Sequence, residues 1–355
     1  MLAYNRTWLD AIQIQTAAQY YMNRSVISSE TAHAIRDGHP VGFYSPNWFI
    51  RIGLAIFGWV MIMAGVGMLF LLLPWESDTL TCIKGILIGV GLLFFLETGL
   101  IRKSHHYRSG LDDIFAYSGV GAILTGLFVV TNSWPMEINL MIWAVVGGIA
   151  AIRYADTPLT LFAVGCLTLV VFILVSRAAG ENAMLLLPVT GMLCAGFWYF
   201  LSGFLQKRTA LRYWQTPLQW IEAAALLLFY ASGNFWCIRF FAKKLFDTEQ
   251  VPLQSFFWAF TFAIPVVYIV LGLYRKDRLL LDIGIFCVAA ALATVRYFYQ
   301  VMPFERAITL IGAICVALAW LSIRYLKTNH RWFTYIPDER QTDIQQLQNK
   351  IVGQM

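Results

Sequence analysis

The 22 residues from Ile52 to Leu73 carry no charge. As a helix rising about 1.5 Å per residue they would reach roughly 33 Å, enough to cross the hydrocarbon of a bilayer. Trp48 and Trp75 flank the run as interfacial anchors, Arg51 stands at one edge, and Pro74, Glu76 and Asp78 close the other. The theme repeats along the chain. Apolar segments lie at about 52–73, 82–101, 114–131, 137–152, 158–176, 183–205, 218–238, 255–274, 279–297 and 307–325. Several approach the lower length limit for a span, and the fourth is the weakest. The pattern predicts an all-α, polytopic transmembrane helix bundle of about ten spans over residues 48–326.

Residues 1–47 follow a different rhythm. Leu9, Ile12 and Tyr20 fall at helical spacing within Trp8–Met22, and a second helix is predicted over Ser29–Arg36, capped at Ser28 or Ser29 and stopped by Gly38 and Pro40. Each is too short to hold alone. They are expected to form a cytosolic hairpin that packs on itself, on the membrane surface, or on a cytosolic or membrane protein partner. The first 45 residues lack the short apolar core of a signal peptide, so the first span is expected to act as its own insertion signal. Residues 327–355 read as a polar cytosolic tail, with Ile344, Leu347 and Ile351 on one face of a short helix.

Composition sharpens this picture. The chain is 59% hydrophobic and 13% charged, with mean hydropathy +0.64, whereas a soluble domain carries about 25% charged residues. Its net charge of +6 does not point to nucleic acid, because the basic residues sit in short clusters between apolar runs. With the N-terminus cytosolic, the inner side holds Arg36, Arg51, Arg102, Lys103, Arg108, Arg153, Lys207, Arg208, Arg212, Arg275, Lys276, Arg278, Arg324, Lys327 and Arg331. The outer side holds Lys84, Arg177, Arg239, Lys243, Lys244, Arg296 and Arg306. Both termini are therefore expected in the cytosol, with short outer turns and no ectodomain to capture a substrate. Arg239, Lys243 and Lys244 are the awkward members: either residues 235–244 form an interfacial helix, for which Phe235, Trp236, Phe240 and Phe241 are suited, or the span count errs there. The six cysteines include no CxxC pair, and all but Cys82, which only opens its segment, fall within apolar segments, where they act as small hydrophobes.

Arg153-Tyr154-Ala155-Asp156-Thr157-Pro158-Leu159 recurs as Arg212-Tyr213-Trp214-Gln215-Thr216-Pro217-Leu218, both at predicted inner ends. Either a two-span hairpin was duplicated, or each copy joins an Arg-Tyr helix end at the headgroups to a Thr-Pro helix start. The turn Val26-Ile27-Ser28-Ser29-Glu30 and the first span ending Leu73-Pro74-Trp75 resemble a family of bacterial membrane proteins of unknown function. Tyr274-Arg275-Lys276-Asp277-Arg278, Arg296-Tyr297-Phe298-Tyr299 and the closing span to Arg324 are similar to the last two spans of a sister family. Together these patches cover about a third of the chain. The resemblance implies the bacterial inner membrane and supplies no catalytic residues.

Ionisable groups within spans need a reason. Glu97 is expected to pair with Arg102 or to face a polar cavity, and Lys84 to reach water at its helix end. Glu222 and Asn234, twelve residues apart on the seventh span, are the other intramembrane candidates, though a helix sets them about 120° apart in azimuth. Asp282 is placed for a surface ion pair with Arg278. Arg296, Tyr297 and Tyr299, followed by Glu305 and Arg306, form the densest polar and aromatic group on the outer side, where an anionic or lipid headgroup is the candidate ligand. His105 and His106 are adjacent and so point apart, His33, His39 and His330 are scattered, and no GxSxG, Walker or dinucleotide motif occurs. Gly65-Val66-Gly67 and Gly147-Gly148 lie inside spans, where small residues serve packing. The expectation is a protein without enzymatic activity or cofactor. A transporter or flippase-like carrier of a small or amphiphilic solute leads, and a non-catalytic scaffold or sensor using its hairpin on a partner is the alternative.

Overall fold

The computed structural model describes residues 2–23, 26–72, 77–248 and 250–298, with Thr309, Gly312, Ala313, Val316 and Trp320 beyond them. Among these residues every regular element is helical, and pairing of strand type is confined to one isolated bridge, Tyr44 with His106. The tenth apolar segment and the polar tail fall outside the continuously described residues. Two compact units are formed, one by Met1–Ile173 with Leu205–Trp220, the other by Leu174–Phe204 with the described residues from Ile221 onward.

The first unit begins with the hairpin α1 (Arg6–Asn23) and α2 (Ser29–Gly38). Ser28 caps α2, its hydroxyl accepting the Thr31 N–H at 3.1 Å. Then come α3 (Trp48–Leu72), α4 (Asp78–Phe95), α5 (Leu111–Thr131), α6 (Met136–Tyr154) and α7 (Thr157–Ala179). The last turns of α4 widen into a π-helical stretch over Leu96–Lys103. Leu96 and Leu100 from that stretch meet Ala116 and Val120 of α5, Ala150 and Ala151 of α6 and Leu159 of α7 in the main core. Leu140 and Ala144 of α6 pack on Cys166 and Val170 of α7 in a second core. By contrast Ile56, Phe57 and Met61 of α3 are more than half exposed, the surface a lipid-facing helix presents.

Contact between α4 and α5 depends on glycine. A Cβ at Gly89 would stand 2.5 Å from the Gly119 carbonyl oxygen, and one at Gly85 would stand 2.7 Å from the Gly126 Cα, so the backbones touch where any side chain would hold them apart. Gly89→Ala is expected to cost about 2 kcal/mol, the usual penalty for overpacking. Gly91→Ala, whose Cβ would meet nothing within 4 Å, should match the wild type. Unfolding midpoints in mixed micelles compare the two.

The second unit contains α8 (Ala183–Gln206), α9 (Gln215–Gly233), α10 (Phe235–Phe246), α11 (Gln254–Arg275) and α12 (Arg278–Phe298). Leu226 and Tyr230 of α9, Tyr268 of α11, and Leu280, Ile283 and Cys287 of α12 form its larger core. Among the described residues eight helices are long and apolar enough to cross a membrane, and the bent pair formed by 209–233 and 235–246 makes a ninth candidate. Nine of the ten apolar segments thus correspond to observed helices.

The seventh corrects its prediction. It is not one helix over 218–238 but two, meeting at 70°. The reason is Asn234, whose side-chain oxygen accepts the Trp236 and Cys237 N–H groups at 3.0 and 3.3 Å, while Thr261 Oγ1 accepts the Phe235 N–H at 3.0 Å. A new helix start inside a membrane requires such acceptors for its orphan N–H groups. Asp282 and Arg278 form the expected ion pair, at 3.6 Å and largely exposed.

Candidate functional site

In the first unit, the helix ends predicted to face the cytosol gather on one side, with the hairpin laid against them. Their local chemistry explains the arrangement. Gly110, at φ +89°, precedes α5, and a Cβ there would collide with the Arg51 carbonyl. α5 therefore starts hard against α3, with Asp112 and Asp113 in its first turn, at the positive end of the helix dipole. α7 likewise starts at Asp156, whose carboxylate accepts the Leu159 N–H at 2.9 Å. The repeated motif is thereby shifted one place from its expected reading: Asp156 is the cap, Thr157 the first helical residue and Pro158 the second, because aspartate offers the better acceptor.

These ends enclose a cavity of about 500 Å³. Asp112, Asp113, Asp156, Arg51, Arg108 and Arg212 supply its charge, and Tyr4, Tyr107, Tyr117, Tyr154, Tyr213 and Trp220 its aromatic walls. Both copies of the repeated motif reach it, through residues 154–158 of one and Arg212, Tyr213, Gln215 and Thr216 of the other. Arg51 donates to Asp113 from Nη2 and, at 3.1 Å, from Nε. Arg212 donates to Asp10 of the hairpin at 2.8 Å and stacks over Tyr213 at 4.8 Å, and Arg108 lies 5.5 Å from the Tyr107 ring centre.

The other two carboxylates are held differently. Asp112 is 1% exposed and accepts from the Ser109 N–H at 2.8 Å, the Ser109 hydroxyl at 3.0 Å and the Tyr4 hydroxyl at 3.3 Å. Asp156 accepts from the Leu159 N–H and, at 3.0 Å, from the Tyr117 hydroxyl. Among the described residues every donor to these two groups is neutral. Burial raises the Asp156 pKa above the usual carboxylate range, and the hydrogen bonds from Leu159 and Tyr117 oppose the rise only in part. Burial, reinforced by Asp112 and Asp113, lifts the Tyr4 phenol well above its ordinary value, and burial lifts Tyr107 as well. His106 is lowered by burial, with its Nδ1 2.8 Å from Ser109 Oγ. His105 faces Trp8 instead, at 4.9 Å between rings, so the adjacent histidines do point apart.

The hairpin roofs this region. The Ala3 N–H donates to the Arg153 carbonyl at 2.9 Å, Tyr4 reaches Asp112, and Trp8 packs edge-on against Phe43 at 5.0 Å. A wider hollow of about 690 Å³ adjoins it, lined by Gln15, Arg36, Trp48, Arg51 and Arg108 among others.

The residues singled out in the sequence lie elsewhere. Glu97 pairs not with Arg102 but with Arg153 of α6, at 2.8 Å from Nε and 2.7 Å from Nη2, and accepts a weaker contact from the Tyr154 hydroxyl at 3.4 Å. Arg153 offers a bidentate fork across the core that Leu96 and Leu100 share with Ala150 and Ala151. Glu97 is not among the residues lining the cavity. Glu222 is half-buried on α9 in the second unit. Asn234 is spent on the α9–α10 corner, where its amide also donates to Tyr230 Oη at 2.9 Å and Thr294 Oγ1 at 3.2 Å. Arg296 and Tyr297 end α12, with the Tyr297 ring 6.1 Å from Trp236; Tyr299 lies outside the described residues. The cavity carboxylates themselves were not singled out. Their signals were the Asp112-Asp113 pair opening an apolar run and the acidic residue of the first repeat copy.

Fold and composition together define a polytopic, all-α membrane protein. Comparison with protein-family models, with curated proteins and with solved structures finds no match, so the functional reading rests on the cavity.

Proposed function

We propose that the protein is a carrier for a small solute bearing a cationic amino group, and that the cavity beneath the N-terminal hairpin is its cytosolic-side binding chamber. The observation that carries this reading is the pair Asp112 and Asp156, two carboxylates at a polar cavity whose donors are neutral, among tyrosine rings. A carboxylate held by neutral donors keeps most of its charge available to a ligand, and aromatic faces add cation–π attraction. Arg51 and Arg212 are engaged by Asp113 and Asp10, so their charge is offset before a solute arrives. Arg108, over the Tyr107 ring and close enough to lower the Asp156 pKa, is the cation a solute's amino group would compete with. The hairpin would act as the gate, since Tyr4 and Asp10 bind Asp112 and Arg212 of the cavity lining. A partner-docking role, the alternative, would use the side of α1 and α2 turned away from it. The basic clusters at the helix ends gathered here support a cytosolic face with both termini inside, and the resemblance noted above supports the bacterial inner membrane.

The test uses the full chain in proteoliposomes with labelled choline, putrescine and ethidium as probes. Uptake of at least one probe above empty vesicles is expected, reduced about tenfold or more by Asp112→Asn and by Asp156→Asn, the loss typical of one charge-assisted contact. Accumulation no greater than in empty vesicles, or unchanged uptake in both variants, would defeat the proposal.

A further inference from the structure

The corner at Asn234 leaves a short helix with a chemistry of its own. If α9 follows the bilayer normal, a 70° bend sets α10 within about 20° of the membrane plane, the posture of an interfacial helix. Phe235, Ile238 and Ala242 form the buried stripe that fixes α10 to the second unit, packing with Val251 and Phe257. The remaining circumference shows Phe240, Phe241 and Leu245 at 46–61% exposure, with Trp236 beside them, and exposed Lys243 and Lys244. The helix has no acidic residue of its own. Arg239 lies 5.0 Å over the Phe298 ring, and Tyr297 meets Trp236. The structure thus brings the basic, aromatic end of α12 against the basic, aromatic α10, two segments far apart in sequence.

We infer that α10 and the adjoining end of α12 form a docking surface for anionic glycerophospholipid headgroups. Aromatic rings settle at the boundary between headgroups and acyl chains, and lysines beside them reach the phosphates. The charge pattern favours an anionic lipid over a zwitterionic one, because exposed Lys243 and Lys244 stand among exposed rings on a helix that carries no acid within Phe235–Phe246, Asp247 following at its cap. This also accounts for basic residues on the side that the positive-inside pattern disfavours: they serve an interfacial helix. The corner is tied to α12, since Asn234 and Thr294 exchange contacts at 3.2 and 3.3 Å, so α10 is presented rather than left to find the surface. The inference is independent of the proposed carrier role.

The experiment measures thermal unfolding of the full chain in neutral detergent while phosphatidylglycerol, phosphatidylcholine or inorganic phosphate is titrated in. Phosphatidylglycerol is expected to raise the midpoint, with the other two leaving it nearly unchanged. The double variant Lys243→Glu/Lys244→Glu should weaken the apparent affinity for phosphatidylglycerol by about 25-fold or more, given roughly fivefold per basic residue at an anionic surface. Should that variant fail to fold, Lys243→Gln/Lys244→Gln reads the same loss. An equal response to phosphatidylcholine, a phosphate-induced shift of the same size, no response to phosphatidylglycerol, or an unaltered response in the folded lysine variant would each overturn the inference.

Discussion

Replacing Glu97 by alanine is expected to destabilise the protein by about 2–3 kcal/mol. Breaking a wholly buried ion pair costs about 3–5 kcal/mol, because the surviving charge is stranded. Here the Arg153 and Glu97 side chains keep 33% and 26% of their exposure, so the surviving charge is less deeply stranded and the penalty shrinks. The Tyr154 hydroxyl loses its contact with Glu97 in the same step. Loss should not stop at the pair, since the Arg153 carbonyl also accepts the N–H of Ala3: a displaced Arg153 loosens the strand leading to the hairpin. Glu97→Ala should therefore lower the unfolding midpoint and speed proteolysis before residue 48. The double variant Glu97→Ala/Arg153→Ala removes the stranded cation and should regain part of the lost stability. Additive losses in the double variant would show that the two residues do not act as a unit.

Glu97 also marks how far the sequence could be read. Eight helices and the outline of a ninth, broken one were legible because lipid imposes long apolar runs, and the Ser28 cap and the hairpin because capping is local. The partner of Glu97 was not, because Arg153 is 56 residues away and comes alongside only when α4 and α6 share a core. A local rule found Arg102, and the tertiary fold supplied a better fork. The cavity was hidden for a related reason. Asp112, Asp113 and Asp156 sit at helix starts, where carboxylates are ordinary caps, and only the approach of Tyr4 and Tyr117, at separations of 108 and 39 residues, turns them into the wall of a chamber. In the same way Tyr297 was visible as an interfacial residue, but its meeting with Trp236 required the corner at Asn234.

That corner yields the other large effect. In water a broken helix can hand its free N–H groups to solvent, whereas inside a bilayer each must find an acceptor or cost several kcal/mol. Asn234 is 3% exposed and serves four partners at once, accepting from Trp236 and Cys237 while donating to Tyr230 and Thr294. Asn234→Ala deletes the cap, worth about 1 kcal/mol, and leaves buried polar groups facing one another without a bridge, worth about 1–3 kcal/mol more. A total near 3 kcal/mol is expected in the unfolding midpoint. Asn234→Asp separates the two contributions: its carboxylate still accepts the α10 N–H groups and the Thr294 hydroxyl but offers no amide to Tyr230 or Thr294, so it should recover the cap while weakening the link to α12. If α10 owes its direction to this residue, the alanine variant should also blunt the response to phosphatidylglycerol even though Lys243 and Lys244 are intact. An alanine variant with wild-type stability and wild-type lipid response would mean that Thr261, through the Phe235 N–H, is enough to hold the bend.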